Sequence, residues 1–165
     1  MDEIKIIYAD LQFFDTYYET LDQVARERIY IEMVEAHPVE RMRAFHEKLI
    51  ANNLPVYYAM DGETAVGWID ISVSENPRMA HRGFLGMGIR KAYRGKKIGS
   101  KLVEAAILHA RRIGLEKIEL SVYTSNPAGI ALYEKFGFTR VGGTYHYRKV
   151  DGVYFDTVEM ELRLV

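Results

Sequence analysis

Two short stretches combine residue types that can do chemistry. In "YRGKKIGSKL" (Tyr93–Leu102), a loop of small and basic residues runs straight into a helical pattern. The first turn of a helix presents unpaired N–H groups and a partial positive charge. Gly95 and Gly99 let the backbone approach a ligand closely. Such a start can hold a phosphate. Neither GxxxxGK[ST] nor GxGxxG occurs, so the two common phosphate-loop fingerprints are excluded. On spacing alone, a basic surface turn before a helix fits equally well. The second stretch is "NPAGIALYEKFGF" (Asn126–Phe138). Asn126 is placed as an N-cap, Pro127 at the first helical position and Gly137 as the stop. Tyr133 follows Asn126 by about two turns, so the two share a helix face. A phenol with an ordinary pKa near 10 is protonated at neutral pH and can donate.

These stretches must be positioned by the elements around them. "IKIIY" reads as a strand, and Asp10 as the N-cap of a helix carrying Leu11, Phe14, Tyr18, Leu21 and Val24 at helical spacing. "HPVERMRAFHEKLIANN" reads as a second helix, with Pro38 near its first turn and Asn52 and Asn53 at its end. "PVYYAM" and "TAVGWIDISV" flank Asp61-Gly62, a hairpin turn, and "RGFLGMGIR" is a glycine-rich third strand of this group. A helix over 98–113, a strand "KIELSVY", the Asn126 helix and a final hairpin at Asp151-Gly152 complete the chain. The strand–helix–strand unit near 83–122 implies one parallel pair with a right-handed crossover. The fold class is therefore a mixed α/β, mostly antiparallel sheet in a single domain over 1–165.

Bulk properties bound the function classes. The 165 residues carry 22 basic and 23 acidic side chains, so net charge does not steer the chain toward nucleic acid or an acidic membrane. No apolar run approaches the ~20 residues of a membrane helix, and the acidic start "MDEI" is unlike a secretory leader. There is no cysteine, which excludes disulfides, thiolate metal sites and an acyl-cysteine intermediate. His37, His46 and His109 show no metal spacing and are expected on helix surfaces or ends; the lone Trp68 is expected in the core. A cytoplasmic protein follows as the expectation.

Together, "GMGIRKAYRGKKIGSKLVEAAILHAR" and "NPAGIALYEKFGF" resemble the GCN5-related N-acetyltransferase (GNAT) family. Its coenzyme loop reads [Q/R]-x-x-G-x-[G/A], and Arg94 and Gly99 match its ends, with Lys97 in place of the middle glycine. In the downstream signature N-x-x-A-x-x-L-Y-x-x-x-G-F, Asn126, Leu132, Tyr133, Gly137 and Phe138 match, with Gly129 in the alanine position. The resemblance covers almost the whole chain and implies acetyl-CoA as cosubstrate, no metal, and a central parallel pair that splays. It implies that the pyrophosphate lies on the amides of Gly95, Lys96, Lys97, Ile98, Gly99 and Ser100. It also implies that pantetheine pairs with the strand near Met87, Gly88 and Ile89, where Gly86 and Gly88 relieve crowding, or else serve only packing. At Lys97 the missing glycine either costs the loop, if the position needs a positive φ or lies flat against a phosphate, or is tolerated in ordinary first-turn helical geometry; tolerance is the expectation. Asn126 either contacts the coenzyme or only caps its helix. By resemblance, Tyr133 is the general acid that protonates the leaving thiolate; packing alone also accounts for a tyrosine there.

The amine base is not marked. Many relatives place a glutamate roughly at Leu85, and "RGFLGMGI" holds no carboxylate. Glu32, Glu35, Asp70 and His81 are the candidates, with Glu32 and His81 ahead, and a water chain is the alternative. Tyr145, Tyr147, Tyr154 and Phe155 are candidates for an acceptor pocket, or ordinary strand residues. The expected acceptor is a small amine, such as an amino acid, with a protein α-amino group as the alternative; the other alternative is a non-catalytic acyl-CoA-binding module. Members of the family often pair as homodimers.

Overall fold

The computed structural model describes residues 3–165. The chain runs β1 (Lys5–Tyr8), α1 (Phe14–Arg26), α2 (Val39–Ala51), β2 (Val56–Asp61), β3 (Thr64–Val73), β4 (Arg82–Ile89), α3 (Ile98–Arg112), β5 (Lys117–Tyr123), α4 (Pro127–Lys135), β6 (Thr139–Val150) and β7 (Val153–Arg163). This is the element order expected from the sequence. At the first helix the start differs: Asp10 accepts from the Gln12 amide at 3.0 Å and caps a single 3-10 turn, Leu11–Phe13, before α1 begins.

The seven strands form one sheet in the order β1-β2-β3-β4-β5-β7-β6. All neighbours are antiparallel except β4 and β5. That pair is in register only at Arg82↔Lys117, Gly83↔Ile118 and Phe84↔Glu119. Beyond Phe84, β4 stays with β3 as far as Gly67↔Ile89, and β5 stays with β7 as far as Tyr123↔Thr157. The two central strands therefore part halfway along. From Leu85 onward β4 has no strand on its second side among the described residues, and its backbone groups there need another partner.

The period-2 alternation of the strands divides the core into two layers. Ile69 and Ile71 of β3 and Leu85 of β4 pack with Ile98, Leu102 and Ala106 of α3. On the other face, Trp68 of β3 packs with Tyr58 of β2, Phe14, Tyr17 and Leu21 of α1, and Leu49 of α2. Trp68 is thus in the core, as expected.

His46 and His109 are buried, not on helix surfaces. His109 donates from Nε2 to the Asn53 carbonyl at 2.9 Å, which leaves Nδ1 to accept from Tyr57 Oη at 2.9 Å. His46 stacks on Tyr17 at 4.2 Å between centroids and bonds Tyr58 Oη through Nδ1 at 2.7 Å. Its Nε2 is buried without a partner among the described residues. Burial lowers its pKa to about 4, so the ring is neutral in the fold.

A histidine whose pKa is depressed by folding binds fewer protons than in the unfolded chain, so its stability contribution is lost as pH falls from about 6.5 toward 4. Urea unfolding should show this residue destabilising the wild type by about 1.5 kcal/mol between pH 6.5 and 5. His46→Phe should lack that component. Equal pH dependence in both proteins would show that His46 titrates normally.

Candidate active site

The parting of β4 and β5 opens a cavity of about 520 Å³. Phe84–Ile89 of β4 line one side and Ser121–Tyr123 of β5 the other. The loop into α3 closes one end, α4 contributes Leu132 and Tyr133, and Tyr30, Ile31 and Glu32 form a wall after α1. Of the residues expected on the coenzyme, Met87, Gly88, Ile89, Arg94, Gly95, Lys97, Ile98, Gly99, Ser100 and Asn126 all line this cavity. Lys96 is not in its lining; its ammonium lies over the Tyr93 ring, 5.4 Å from the centroid.

The loop is built as an amide-rich turn. Gly95 has φ +76° and Lys97 has φ +64°, both left-handed. The first intrahelical bond runs from Lys101 N–H to the Lys97 carbonyl at 3.3 Å, and no side chain caps the helix. The N–H groups of Ile98, Gly99 and Ser100 consequently have no backbone acceptor among the described residues. Lys97 is the N-cap in left-handed geometry, not the ordinary helical residue expected. A lysine there costs about 1–2 kcal/mol of backbone strain, which explains why the family pattern places glycine at that position.

Three of the site glycines have a steric reason, and a fourth, Gly86, does not. A Cβ at Gly99 would sit 3.1 Å from Leu132 Cδ2 and 3.5 Å from Ile89 Cδ1, so glycine seats α3 against α4 and β4. A Cβ at Gly88 would enter the Trp68 ring, so this glycine serves packing. At Gly86 the nearest atom to a Cβ would be Asp70 Oδ1 at 3.4 Å, an ordinary contact. A Cβ at Gly129 would collide with the Asn126 side chain, whose Oδ1 accepts from the Gly129 N–H at 3.0 Å. Asn126 therefore caps α4 and lines the cavity at once.

Arg94 is committed within the protein. Its Nε donates to the Ile89 carbonyl at 2.9 Å, its two Nη atoms grip Glu27 at 2.8 and 2.6 Å, and its guanidinium lies over Tyr30 at 4.3 Å. The expected ligand-binding arginine thus ties the loop to the end of β4 and to the end of α1. Tyr133 is buried against Phe138. Its hydroxyl makes no hydrogen bond among the described residues, and burial holds its pKa well above the ordinary tyrosine value.

The base candidates separate clearly. Glu32 sits at the cavity rim and accepts from Tyr147 Oη at 3.2 Å. That carboxylate raises the pKa of Tyr147. His81 is misplaced for the role: it lies exposed before β4, where its carbonyl accepts from Glu116 N–H at 2.8 Å. That is the paired end of β4, roughly 23 Å of strand from Gly88. Glu35 points to Arg26 at 3.5 Å and does not line the cavity. Leu85 faces the layer under α3, so a carboxylate at that position would be buried among apolar side chains.

Of the hairpin aromatics, only Tyr147 lines the cavity. Tyr145 and Tyr154 are exposed and sandwich His146 at 3.8 and 3.9 Å, while Phe155 is buried. One clamp has no sequence signal. Arg28 forms a two-pronged ion pair with Asp151 at 2.8 and 3.1 Å, and Arg148 Nη1 donates to the Arg28 carbonyl at 2.9 Å. Arg148 is itself buried over Tyr123 and Phe155. These bonds fix the segment bearing Tyr30 and Glu32 against the last hairpin.

The sequence pattern of the Acetyltransferase (GNAT) family matches residues 16–138. The chain belongs to the GNAT acetyltransferase family. L-amino acid N-acetyltransferase AaaT of Escherichia coli K12 is 27% identical over 165 residues, covering 97% of this chain and 98% of that protein. N-alpha-acetyltransferase MAK3 of Arabidopsis thaliana is 39% identical, but over 71 residues, 42% of this chain and 37% of that protein. The crystal structure of a GNAT acetyltransferase from Streptococcus pneumoniae superposes with TM-score 0.91 at 26% identity, over 98% of this chain and all of that one. That of yncA from Salmonella typhimurium, described with acetyl-CoA, superposes with TM-score 0.92 at 20% identity, over 99% and 95% of the two chains. This GNAT chain is accordingly an acetyltransferase, and the mixed sheet with its splayed parallel pair is the fold of the family.

The left-handed N-cap gives a direct test. Lys97→Gly removes the strain and should raise stability by up to about 1 kcal/mol. Calorimetry should find acetyl-CoA affinity unchanged or tighter. A tenfold loss would make the Lys97 ammonium part of the coenzyme grip.

Proposed function

We propose that this enzyme transfers the acetyl group of acetyl-CoA to the primary amine of a small molecule, with amino acids the leading acceptors. The observation that carries this reading is the division of the cavity. One end offers the free N–H groups of Ile98, Gly99 and Ser100 beside Lys97. The opposite wall offers Glu32, Tyr123 and Tyr147. An anion fits the first end, through amides and the helix dipole. A cation fits the second. The near full-length likeness to an amino acid acetyltransferase supports the acceptor class.

The chain's residues fit the coenzyme on this reading. The pyrophosphate would take the amides from Gly95 to Ser100. The pantetheine amides would fill the open side of β4 at Met87 and Gly88, since Arg94 already satisfies the Ile89 carbonyl. Asn126 would border the same arm. When bound, acetyl-CoA supplies an activated acetyl thioester. A strand N–H near Ile89 would polarise its carbonyl. The amine attacks directly; with no cysteine in the chain, no acyl-cysteine can intervene. Tyr133, kept protonated by burial, would donate from Oη to the departing sulfur. Glu32 would draw the ammonium to the rim. Such an enzyme works where acetyl-CoA is made, so we place it in the cytoplasm.

Thiol release from acetyl-CoA across a panel of amino acids, polyamines and peptides tests the reading. Small amines should turn over faster than peptides. Turnover of peptides alone would reassign the acceptor to a protein α-amino group, and tight acetyl-CoA binding with no turnover would indicate a binding module. Tyr133→Phe should keep coenzyme affinity and lower kcat about a hundredfold or more. Wild-type kcat in that variant would remove Tyr133 from the mechanism.

A further inference from the structure

β4 carries no carboxylate, yet one is presented through it. Asp70 of β3 pairs in register with Gly86 of β4, and both lie on the face turned toward α1. Gly86 lines the cavity together with Phe84 and Gly88. Gly88 has its place filled by the Trp68 ring, but Gly86 leaves an opening whose nearest atom is Asp70 Oδ1. The side chain is half-buried, and neither of its oxygens makes a hydrogen bond among the described residues. Asp70 is not itself in the cavity lining; it stands directly behind Gly86, which is. A half-buried carboxylate without a partner is costly to keep unless something it binds repays the desolvation.

Resting on the acetyl-transfer reading, we propose that Asp70 is the general base, taking a proton from the acceptor ammonium through the opening at Gly86. The glycine does what a carboxylate on β4 would otherwise do: it gives the neighbouring strand's carboxylate access to the amine. Protons and electrons balance simply. The Asp70 carboxylate takes one proton from R–NH₃⁺, and the freed nitrogen lone pair forms the new N–C bond as the C–S bond breaks. A second N–H proton, lost once the N–C bond has formed, reloads through water the hydroxyl of Tyr133 after it has protonated sulfur. Of the two, one is made good on the coenzyme sulfur through Tyr133, and the other reaches solvent when Asp70 reionises.

The surroundings suit this role. Tyr17 of α1 and Tyr58 of β2 face Asp70, and both are held protonated well above the ordinary tyrosine value. Beyond Tyr58, on α2, stand neutral His46 and the Arg43 guanidinium, with Asp10 at the start of α1's leading turn. From β4 no titratable group faces it. Desolvation raises the carboxyl to about 7, so it exchanges protons readily near neutral pH. The cationic groups of the site, Arg94 and Lys97, lie at the other end of β4.

The test uses Asp70→Asn, which keeps size and shape. Acetyl-CoA affinity by calorimetry should stay within about twofold. With an amino acid acceptor, kcat should fall by about a hundredfold or more. The wild-type kcat/KM should rise with pH through about 7; in the variant that limb should move up to the pKa of the amine itself. Gly86→Val leaves the carboxylate in place but covers it, and should lower kcat in the same way with the same coenzyme affinity. Glu32→Gln should raise KM and leave the pH limb where it is. Wild-type kcat with an unmoved limb in either Asp70→Asn or folded Gly86→Val overturns the proposal. If the wild type itself releases no thiol with any amine, the transfer reading fails first, and the role of Asp70 falls with it.

Discussion

The site depends on one constraint: β4 and β5 are paired for three residues and then follow different neighbours. A parallel pair in the middle of a sheet would ordinarily bury its backbone groups in a continuous ladder. Here the ladder stops at Phe84 and Glu119, and the sheet remains one body because β3 and β7 hold the diverging strands from outside. The opening therefore has rigid walls on both sides. The helices at its end follow from the same topology. The crossover from β4 to β5 is α3, so its uncapped N-terminus is delivered to the rim of the split, and α4 follows β5 on the opposite bank.

Burial then sets the chemistry of the groups in and beneath this opening. Desolvation keeps the proton on Tyr133, as the proposed donor role requires. The same effect pushes Asp70 up to about 7, which suits the proposed proton acceptor. The charged groups that are exposed or paired divide by position. Lys97 stands at the amide-rich end and Glu32 at the other, while the Arg94–Glu27 pair fastens the loop to α1. On the proposed reading, the rim sorts cation from anion, and Tyr133 and Asp70 move protons.

Much of the fold is legible in the sequence, and what is legible is local. The caps at Asn126 and Pro127, the hairpin turns at Asp61-Gly62 and Asp151-Gly152, and the helix after "YRGKK" depend on residues within a few positions of one another, and the structure bears them out. What stays hidden depends on partners far apart in the chain. Glu27 meets Arg94 across 67 positions, and Arg28 meets Asp151 across 123. Nothing in either segment alone specifies the match. His46 and His109 mislead because their partners are distant in the chain; Tyr58 and Tyr57 of β2 hydrogen-bond them in the fold. His81 looks suitable from its position just ahead of the strand, and strand length places it at the wrong end. Asp70 is legible as a candidate carboxylate, but its register with Gly86 depends on the next strand. Lys97 misleads for a different reason, since a left-handed backbone angle is invisible when the residue that adopts it is not glycine.

The central claim is that the split between β4 and β5, with the first turn of α3, seats the coenzyme. Amide hydrogen exchange with and without acetyl-CoA tests it most directly, because it reads the groups that the ligand is said to fill. The account predicts that saturating acetyl-CoA slows exchange at Met87–Gly88 and at Gly95–Ser100, with little change in the exposed β6 hairpin. Tight binding with no added protection at either segment, or protection confined to another face of the sheet, would contradict it.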